Sequence, residues 1–354
     1  MYRGKEQGMN ITSSDFGLVN GKQVKIYTLQ NKKGMKVEVL NFGGIIRSIY
    51  VPKRGKTVDV VLGYDTIEDY ISDASCFGAL IGRNANRIKN AAFTLDGVSY
   101  TLEENERGNN LHSSCGNGYH KRIWDVECDE ENNRLILTLD SPDMDQGFPG
   151  NCKIKVSYIL AEDNSLELHY EAVSDKKTVF NMTNHTYLNL KGHDGGEIYS
   201  HELTIKSLAF TEIAADCVPT GKILPVLGTP MDFNRPHKIG EYINADDDQI
   251  RIARGYDHNW VLVKVTSGIE KIAEMYEAST GIRLEVFTDR PGVQFYSANG
   301  LMSVVGKNGA KYGRCHGFCL ETQFYPNAVN EPSFPSPVIE ADTMVTSTTI
   351  YKFL

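Results

Sequence analysis

Apolar side chains recur at every second position through much of the chain. The stretches "RLILTLD" (134–140), "CKIKVSYIL" (152–160), "SLELHYEAV" (165–173) and "IRLEVFT" (282–288) each set β-branched or aromatic residues on alternate sites. A period of two is that of a half-buried strand, because successive side chains leave the pleat on opposite faces. Short polar runs separate such stretches, among them "DEENN" (129–133), "AEDN" (161–164) and "LDG" (95–97). Asp, Asn and Gly accept the tight backbone of turns, so neighbouring strands are predicted to join as antiparallel hairpins.

No segment keeps an apolar 3.6-residue period over a dozen residues with a cap at each end. That removes the crossover helices a parallel sheet requires. No internal repeat supports a propeller or solenoid either. What remains is an all-β chain in which two antiparallel sheets pack together. Its 354 residues contain neither a composition shift nor a Pro/Ser-rich linker, so we expect a polar leader over 1–13 and one domain over 14–354. Loop-rich stretches at 81–90, 105–124, 141–151 and 218–240 are where binding groups are expected, on a rigid scaffold.

Composition narrows the function classes. With 41% hydrophobic against 23% charged residues the chain can bury a sizeable core. A net charge of -8, a pI near 5.6 and the lack of any basic run leave no face for nucleic acid. There is neither an apolar signal region in "MYRGKEQGMN" nor a run of about 18 apolar residues, so the expectation is a soluble, cytoplasmic protein with no membrane partner. Seven irregularly spaced cysteines fit reduced thiols. The Asn-x-Thr triplets at Asn181 and Asn184 lie in an apolar stretch and read as chance.

Among nine histidines, His185 stands out in "TVFNMTNHTYLNL" (178–190), where alternation would put Asn181, Thr183, His185, Tyr187 and Asn189 on one wet face. His112 lies in "NNLHSS", while Asp257 and His258 precede an apolar strand in "RGYDHNWVLV". Arg83 and Arg87 flank "NAN" without an adjacent acid, and one guanidinium fork suits vicinal hydroxyls or a carboxylate. Gln294 in "PGVQFYSANG" offers an amide. In "CHGFC" strand alternation would separate His316 from Cys315 and Cys319, and no metal-binding or nucleotide-binding motif is present, so neither metal nor cofactor is expected. Glu321 stands alone in "LETQFYPNAVNEPSFPSP" (320–337), where prolines stiffen the chain beyond it. Acids and amides for hydroxyls, with aromatic faces for C–H surfaces, suit a carbohydrate, and a rigidly held carboxylate suits a general base.

These residues resemble the aldose 1-epimerases, also called galactose mutarotases. The likeness runs in order through "NFGGIIRSI", "VLGYDTIEDY", "GRNANRI", "FTLDGVSYTL", "NNLH", "GYHKRIWDV", "GFPGN", "NMTNHTYLNL", "VPTGKI", "GYDHNWVL", "PGVQFYSANG" and "LETQFYPNAVNEPSFPS". The resemblance implies a large antiparallel β-sandwich with an open concave cleft, acting without a cofactor on a monosaccharide such as galactose or glucose, as a monomer or weak dimer. It implies Glu321 as the base for the anomeric hydroxyl and His185 as the acid for the ring oxygen. It places sugar contacts on Asn86, Arg87, His112, Asp257 and Gln294. On that mechanism His185 starts charged and Glu321 ionised, so a nearby negative charge is expected to lift the histidine. Where many relatives read His-Phe-Pro-Asp, this chain has Phe324, Tyr325, Pro326 and Asn327, a difference that bears on sugar preference. Competing readings are a glycoside hydrolase with Asp257 as second carboxylate, a phosphosugar epimerase and a non-catalytic sugar-binding protein.

Overall fold

The protein is described by a computed structural model covering residues 11–354. All four stretches of strict alternation are strands of one nine-stranded antiparallel sheet. Its order is Asp125–Asp129, Arg134–Ser141, Cys152–Leu160, Ser165–Ser174, Val345–Phe353, Ile282–Thr288, Glu270–Glu277, Glu202–Ile205 and His237–Lys238. The expected turns at 129–133 and 161–164 join neighbours of this sheet, and "LDG" closes the hairpin Ala92–Leu95 to Val98–Thr101. Among the described residues the longest α-helices, Ile67–Ser72 and Asp248–Ala253, have six residues, and none is long and apolar enough to cross a membrane. The predicted leader lies mostly outside the described residues, but Thr12 and Ser13 already belong to the strand Thr12–Val19.

A five-stranded sheet packs against the large one. It runs Pro219–Pro225, Ser207–Ile213, Asp257–Leu262, Gly292–Tyr296, Cys319–Gln323. One face supplies Trp260, Val293, Phe295 and Leu320 to the same buried core as Leu284, Val286, Tyr351 and Phe353 of the large sheet. Polar contacts cross this interior: the Tyr351 hydroxyl donates to the Leu320 carbonyl at 2.9 Å, and the Thr322 and Thr349 hydroxyls are hydrogen-bonded. The interlayer contact therefore fixes the strand that carries Glu321.

Two sequence readings change here. The 178–190 segment holds not one strand but two short ones, Thr178–Val179 paired with Val338–Ile339 and Thr183–His185 paired with Ala79–Ile81. Its amides do not form a wet face, because they tie loops: Asn181 Oδ1 accepts from the Phe324 N–H at 2.9 Å, and Asn189 donates to the Gly196 and His316 carbonyls. Both triplet asparagines, Asn181 and Asn184, are buried. Arg83 is a fully buried anchor, donating to the carbonyls of Pro149 and Gly150 at 2.7 and 3.1 Å and to the Ser141 hydroxyl at 2.7 Å. Its fork serves loop carbonyls, leaving Arg87 as the arginine for a ligand.

Tyr351→Phe removes one interlayer hydrogen bond and should cost about 1 kcal/mol in denaturant unfolding. Arg83→Ala strands several buried acceptors, and the same measurement should show a loss of roughly 3 kcal/mol or more.

Candidate active site

The five-stranded sheet sorts its residues by alternation. Register pairs Asp257 with Tyr296 and Tyr296 with Cys319, then Asn259 with Gln294 and Gln294 with Glu321. These six share one face, while His258, Trp260, Val293, Phe295 and Leu320 point into the core. His258 accordingly leaves the site: its ring packs against Phe210 and Trp260, and its Nδ1 accepts from the Asp257 N–H at 3.2 Å. The polar face forms the floor of a cleft of about 210 Å³, lined by Asn86, Arg87, Glu106, His112, His185, Tyr187, Asp257, Tyr296 and Glu321 among others. That is smaller than the roughly 300–1,000 Å³ usual for drug-sized ligands, and so suited to a small one.

His185 faces Glu321 from the chain segment that runs alongside the strand Cys319–Gln323. Its Nε2 lies 3.7 Å from Glu321 Oε1, and both side chains are buried. The Gly78 N–H donates to the His185 carbonyl at 3.0 Å, and the ring is boxed in by His112 and Tyr187 at centroid distances of 5.2 and 5.1 Å. Tyr187 is itself set edge-on against Phe77 at 4.7 Å. Tyr187 and Tyr296 give the cleft aromatic surfaces of the kind that meet C–H faces of sugars.

The loops supply the remaining groups. Asn86 and His112 both have left-handed backbones, with φ of 62° and 55°, and they lock together: the His112 N–H donates to the Asn86 carbonyl at 3.1 Å, and the Asn86 N–H donates to His112 Nδ1 at 3.2 Å. A ring nitrogen that accepts from an amide carries no proton, so neutral His112 presents Nε2–H as a donor. Burial, with the charges of His185 and Arg87 adding to it, holds His112 well below the usual histidine range. Arg87 is clamped by Glu106, with Nε to Oε2 at 2.6 Å and Nη2 to Oε1 at 2.9 Å, and its Nη1 lies 3.5 Å from Asp257 Oδ2. Burial opposes its charge, but Asp257 and the hydrogen-bonded Glu106 outweigh that and hold it above the usual arginine value. Gln294 Nε2 donates to Asp257 Oδ1 at 2.7 Å. Gln294 thus reaches the cleft through Asp257.

Two acceptors on adjacent strands, Glu321 Oε2 and Gln294 Oε1, are buried without a hydrogen-bond donor. An orphaned acceptor is costly in a dry site, and hydroxyl groups of a ligand are the donors that would satisfy it. Burial, reinforced by Asp257, pushes Glu321 well above the ordinary carboxylate range, with Arg87 pulling the other way. Burial also brings His185 down to about 4, against the opposing pull of a hydrogen bond to its own backbone carbonyl and of the charges of Asp257 and Asp73. The histidine is therefore lowered where a lift was expected, because desolvation of the ring outweighs its acidic neighbours.

Donor atoms of His185, Cys319 and Glu321 all lie within 4.8 Å of one another, a set a zinc-class ion could use. His185 turns Nε2 to Glu321 and Nδ1 to Cys319 Sγ at 3.6 Å, so one ion could take only one of these nitrogens. Sequence reasoning missed Cys319 here, having weighed it only with Cys315, although it lies two residues before Glu321 on the same strand face. It missed Glu106 because nothing local signals a partner nineteen residues beyond Arg87. The Phe324–Asn327 difference falls outside the cleft lining. The Asn327 N–H donates to the Arg87 carbonyl at 2.8 Å, so this segment buttresses the site from behind.

The family model for aldose 1-epimerase matches residues 25–352. Galactose mutarotase of Sus scrofa is 37% identical over 349 residues, 98% of this chain and 99% of its own. Aldose 1-epimerase of Escherichia coli K12 is 33% identical, over 95% and 96% of the two chains. Among solved structures, galactose 1-epimerase from Lactobacillus acidophilus NCFM superposes with a TM-score of 0.85 at 28% identity, covering 98% of this chain and 99% of that one. An aldose epimerase homologue from C. elegans gives 0.86 at 29% identity, covering 93% and 98%. The chain belongs to the aldose 1-epimerase family, isomerases that interconvert the anomers of aldoses.

Proposed function

We propose that the protein interconverts the α and β anomers of free aldohexoses such as galactose and glucose, with Glu321 and His185 as the paired base and acid, acting in the cytoplasm as a monomer or weak dimer. The observation that carries the reading is the 3.7 Å approach of two buried, oppositely acting groups on one small cleft. The anomeric hydroxyl and the ring oxygen are bonded to the same carbon, so a base and an acid this close can serve both in one pose. Ionised Glu321 takes the hydroxyl proton as charged His185 gives one to the ring oxygen. The ring opens to the aldehyde, rotation about the bond beside the carbonyl exposes its other face, and the transfers run backwards to close it.

Burial gives this cycle a direction. Before opening the pair is charged; after opening it is a neutral acid and a neutral imidazole. Desolvation favours the second arrangement for both residues. The cleft thus stabilises the open-chain complex relative to the bound pyranose, which is the differential binding that lowers the barrier to opening. In the sugar-free cleft the pair's single proton rests on Glu321, and handing it to His185 arms the site.

Binding supports a neutral sugar. Among the described residues lining the cleft Arg87 is the one arginine or lysine, and its neighbours Glu106 and Asp257 already engage it. A phosphate would meet three acids and no free cation among these residues. Asp257, held by Arg87 and Gln294, serves as an acceptor for sugar hydroxyls.

Polarimetry on freshly dissolved α-galactose should show accelerated decay of rotation with the protein present; an unchanged decay would mean a binding protein. A methyl glycoside, which lacks the anomeric proton, should be left intact, whereas release of methanol would point to hydrolysis. Glu321→Gln should lower kcat by about 10² or more, and retention of a tenth of normal turnover would remove the base assignment. The active pair holds one proton. Turnover should therefore fall below about pH 4, where His185 gains a second proton, and again as pH rises through the elevated value of Glu321. A single sigmoid across the acid and alkaline range would contradict this assignment.

A further inference from the structure

The grip of Glu106 on Arg87 is built by a tight turn. The strand Arg87–Ile88 pairs with Asn110–Leu111. Just before Asn110 the chain reverses: the Glu106 N–H donates to the Asn109 carbonyl at 3.1 Å, and the Asn109 N–H donates to the Glu106 carbonyl at 2.8 Å. Between them Arg107 and Gly108 have φ of 52° and 83°, the positive pair that a two-residue hairpin turn requires. Asn105 pins the same turn, its Oδ1 accepting from the Leu111 N–H at 2.6 Å. Glu106 thus stands on a fixed reversal beside the strand that pairs with Arg87, and its carboxylate meets the guanidinium with Oε2 2.6 Å from Nε and Oε1 2.9 Å from Nη2.

We propose that Glu106 is a specificity-determining residue: it closes the carboxylate-binding edge of Arg87, the one arginine or lysine among the described residues lining the cleft, and so bars sugar acids while admitting neutral aldoses. The inference rests on the reading of the cleft as a monosaccharide site and names what decides the charge of its ligand.

A guanidinium carries five N–H donors in a fixed fork, and its side edge, Nε with one hydrogen of Nη2, matches the two oxygens of a carboxylate. Glu106 fills that edge with both of its oxygens. Nη1 leans instead toward Asp257 Oδ2 at 3.5 Å. The hydrogens left on Nη1 and Nη2 can each serve a hydroxyl oxygen, which needs a single donor and brings no charge. A sugar carboxylate has two ways in, and each is opposed. It can displace Glu106 from a pair whose side chains are only 9% and 23% exposed, stranding that carboxylate; or it can lie unpaired beside Glu106 and Asp257, where scarce water screens the repulsion poorly.

Asp257 does not share this role. It projects from the floor of the site sheet, is held by Gln294 Nε2 at 2.7 Å and stands farther from the guanidinium, with oxygen to spare for sugar hydroxyls. Glu106 comes from outside that sheet and spends both oxygens on Arg87. Its removal should therefore free the fork while the floor stays in place.

The test uses the full chain with Glu106→Gln and Glu106→Ala, and isothermal titration with D-galactose and with D-galacturonate, the uronic acid of the same sugar. The wild-type protein should bind galactose and scarcely bind galacturonate. Glu106→Gln removes the charge at nearly constant volume and should raise the galacturonate-to-galactose affinity ratio about ten-fold; Glu106→Ala, which also empties the edge, should raise it about a hundred-fold. Galactose should bind somewhat more weakly in both variants, because Arg87 is less firmly held, so the two sugars move in opposite directions. Added salt should erode the galacturonate gain. Equal losses for both sugars would reduce Glu106 to a structural support and overturn the proposal, as would a folded Glu106→Ala protein with the wild-type ratio or a wild-type protein that binds galacturonate as tightly as galactose. Should the wild-type protein bind galactose without speeding its mutarotation, the isomerase reading falls and the affinity ratio still decides the role of Glu106. Binding of neither sugar overturns both.

Discussion

The site depends on a seam between two distant segments of chain. Glu321 belongs to the five-stranded sheet and His185 to a three-residue strand paired elsewhere, yet their side chains meet at 3.7 Å. Contacts on both sides of the pair hold the seam closed. Beyond His185, Leu188 and Phe318 exchange backbone hydrogen bonds of 2.8 and 2.9 Å; before it, Asn181 accepts from the Phe324 N–H at 2.9 Å. The spacing of the pair is thus bracketed by hydrogen bonds of backbone groups on both sides.

The large sheet is the plate on which this seam rests. Packing of Leu320 and Phe295 against Val286 and Tyr351 buries one face of the site sheet, and alternation then obliges Glu321, Gln294 and Asp257 to project from the other. The hydrophobic core and the polar floor are two consequences of one period-two pattern. Because Glu321 and His185 lie in a small, largely desolvated cleft, burial pushes both toward their neutral forms, the carboxyl upward and the imidazole downward.

Much of this was legible in the sequence. Four alternating stretches became four strands of one sheet, and of the residues the family resemblance implied, Glu321, His185, Asn86, Arg87, His112 and Asp257 line one cleft while Gln294 lies behind Asp257. Three things were not legible, for physical reasons. Alternation through 178–190 suggested a wet face, but its amides are consumed by loop backbones that no local pattern reveals. Arg83 and Arg87 look equivalent in "GRNANRI", and only tertiary packing shows one holding carbonyls and the other held by Glu106. The direction of the His185 shift depends on how dry the ring is, a property of burial that sequence neighbours do not carry.

The central claim is that one sugar touches both members of the pair, and a structure of the protein with bound galactose tests it most directly. The account predicts the anomeric oxygen within hydrogen-bonding distance of Glu321 and the ring oxygen within the same distance of His185 Nε2. A galactose seated in the cleft with its anomeric carbon turned away from both side chains would contradict it.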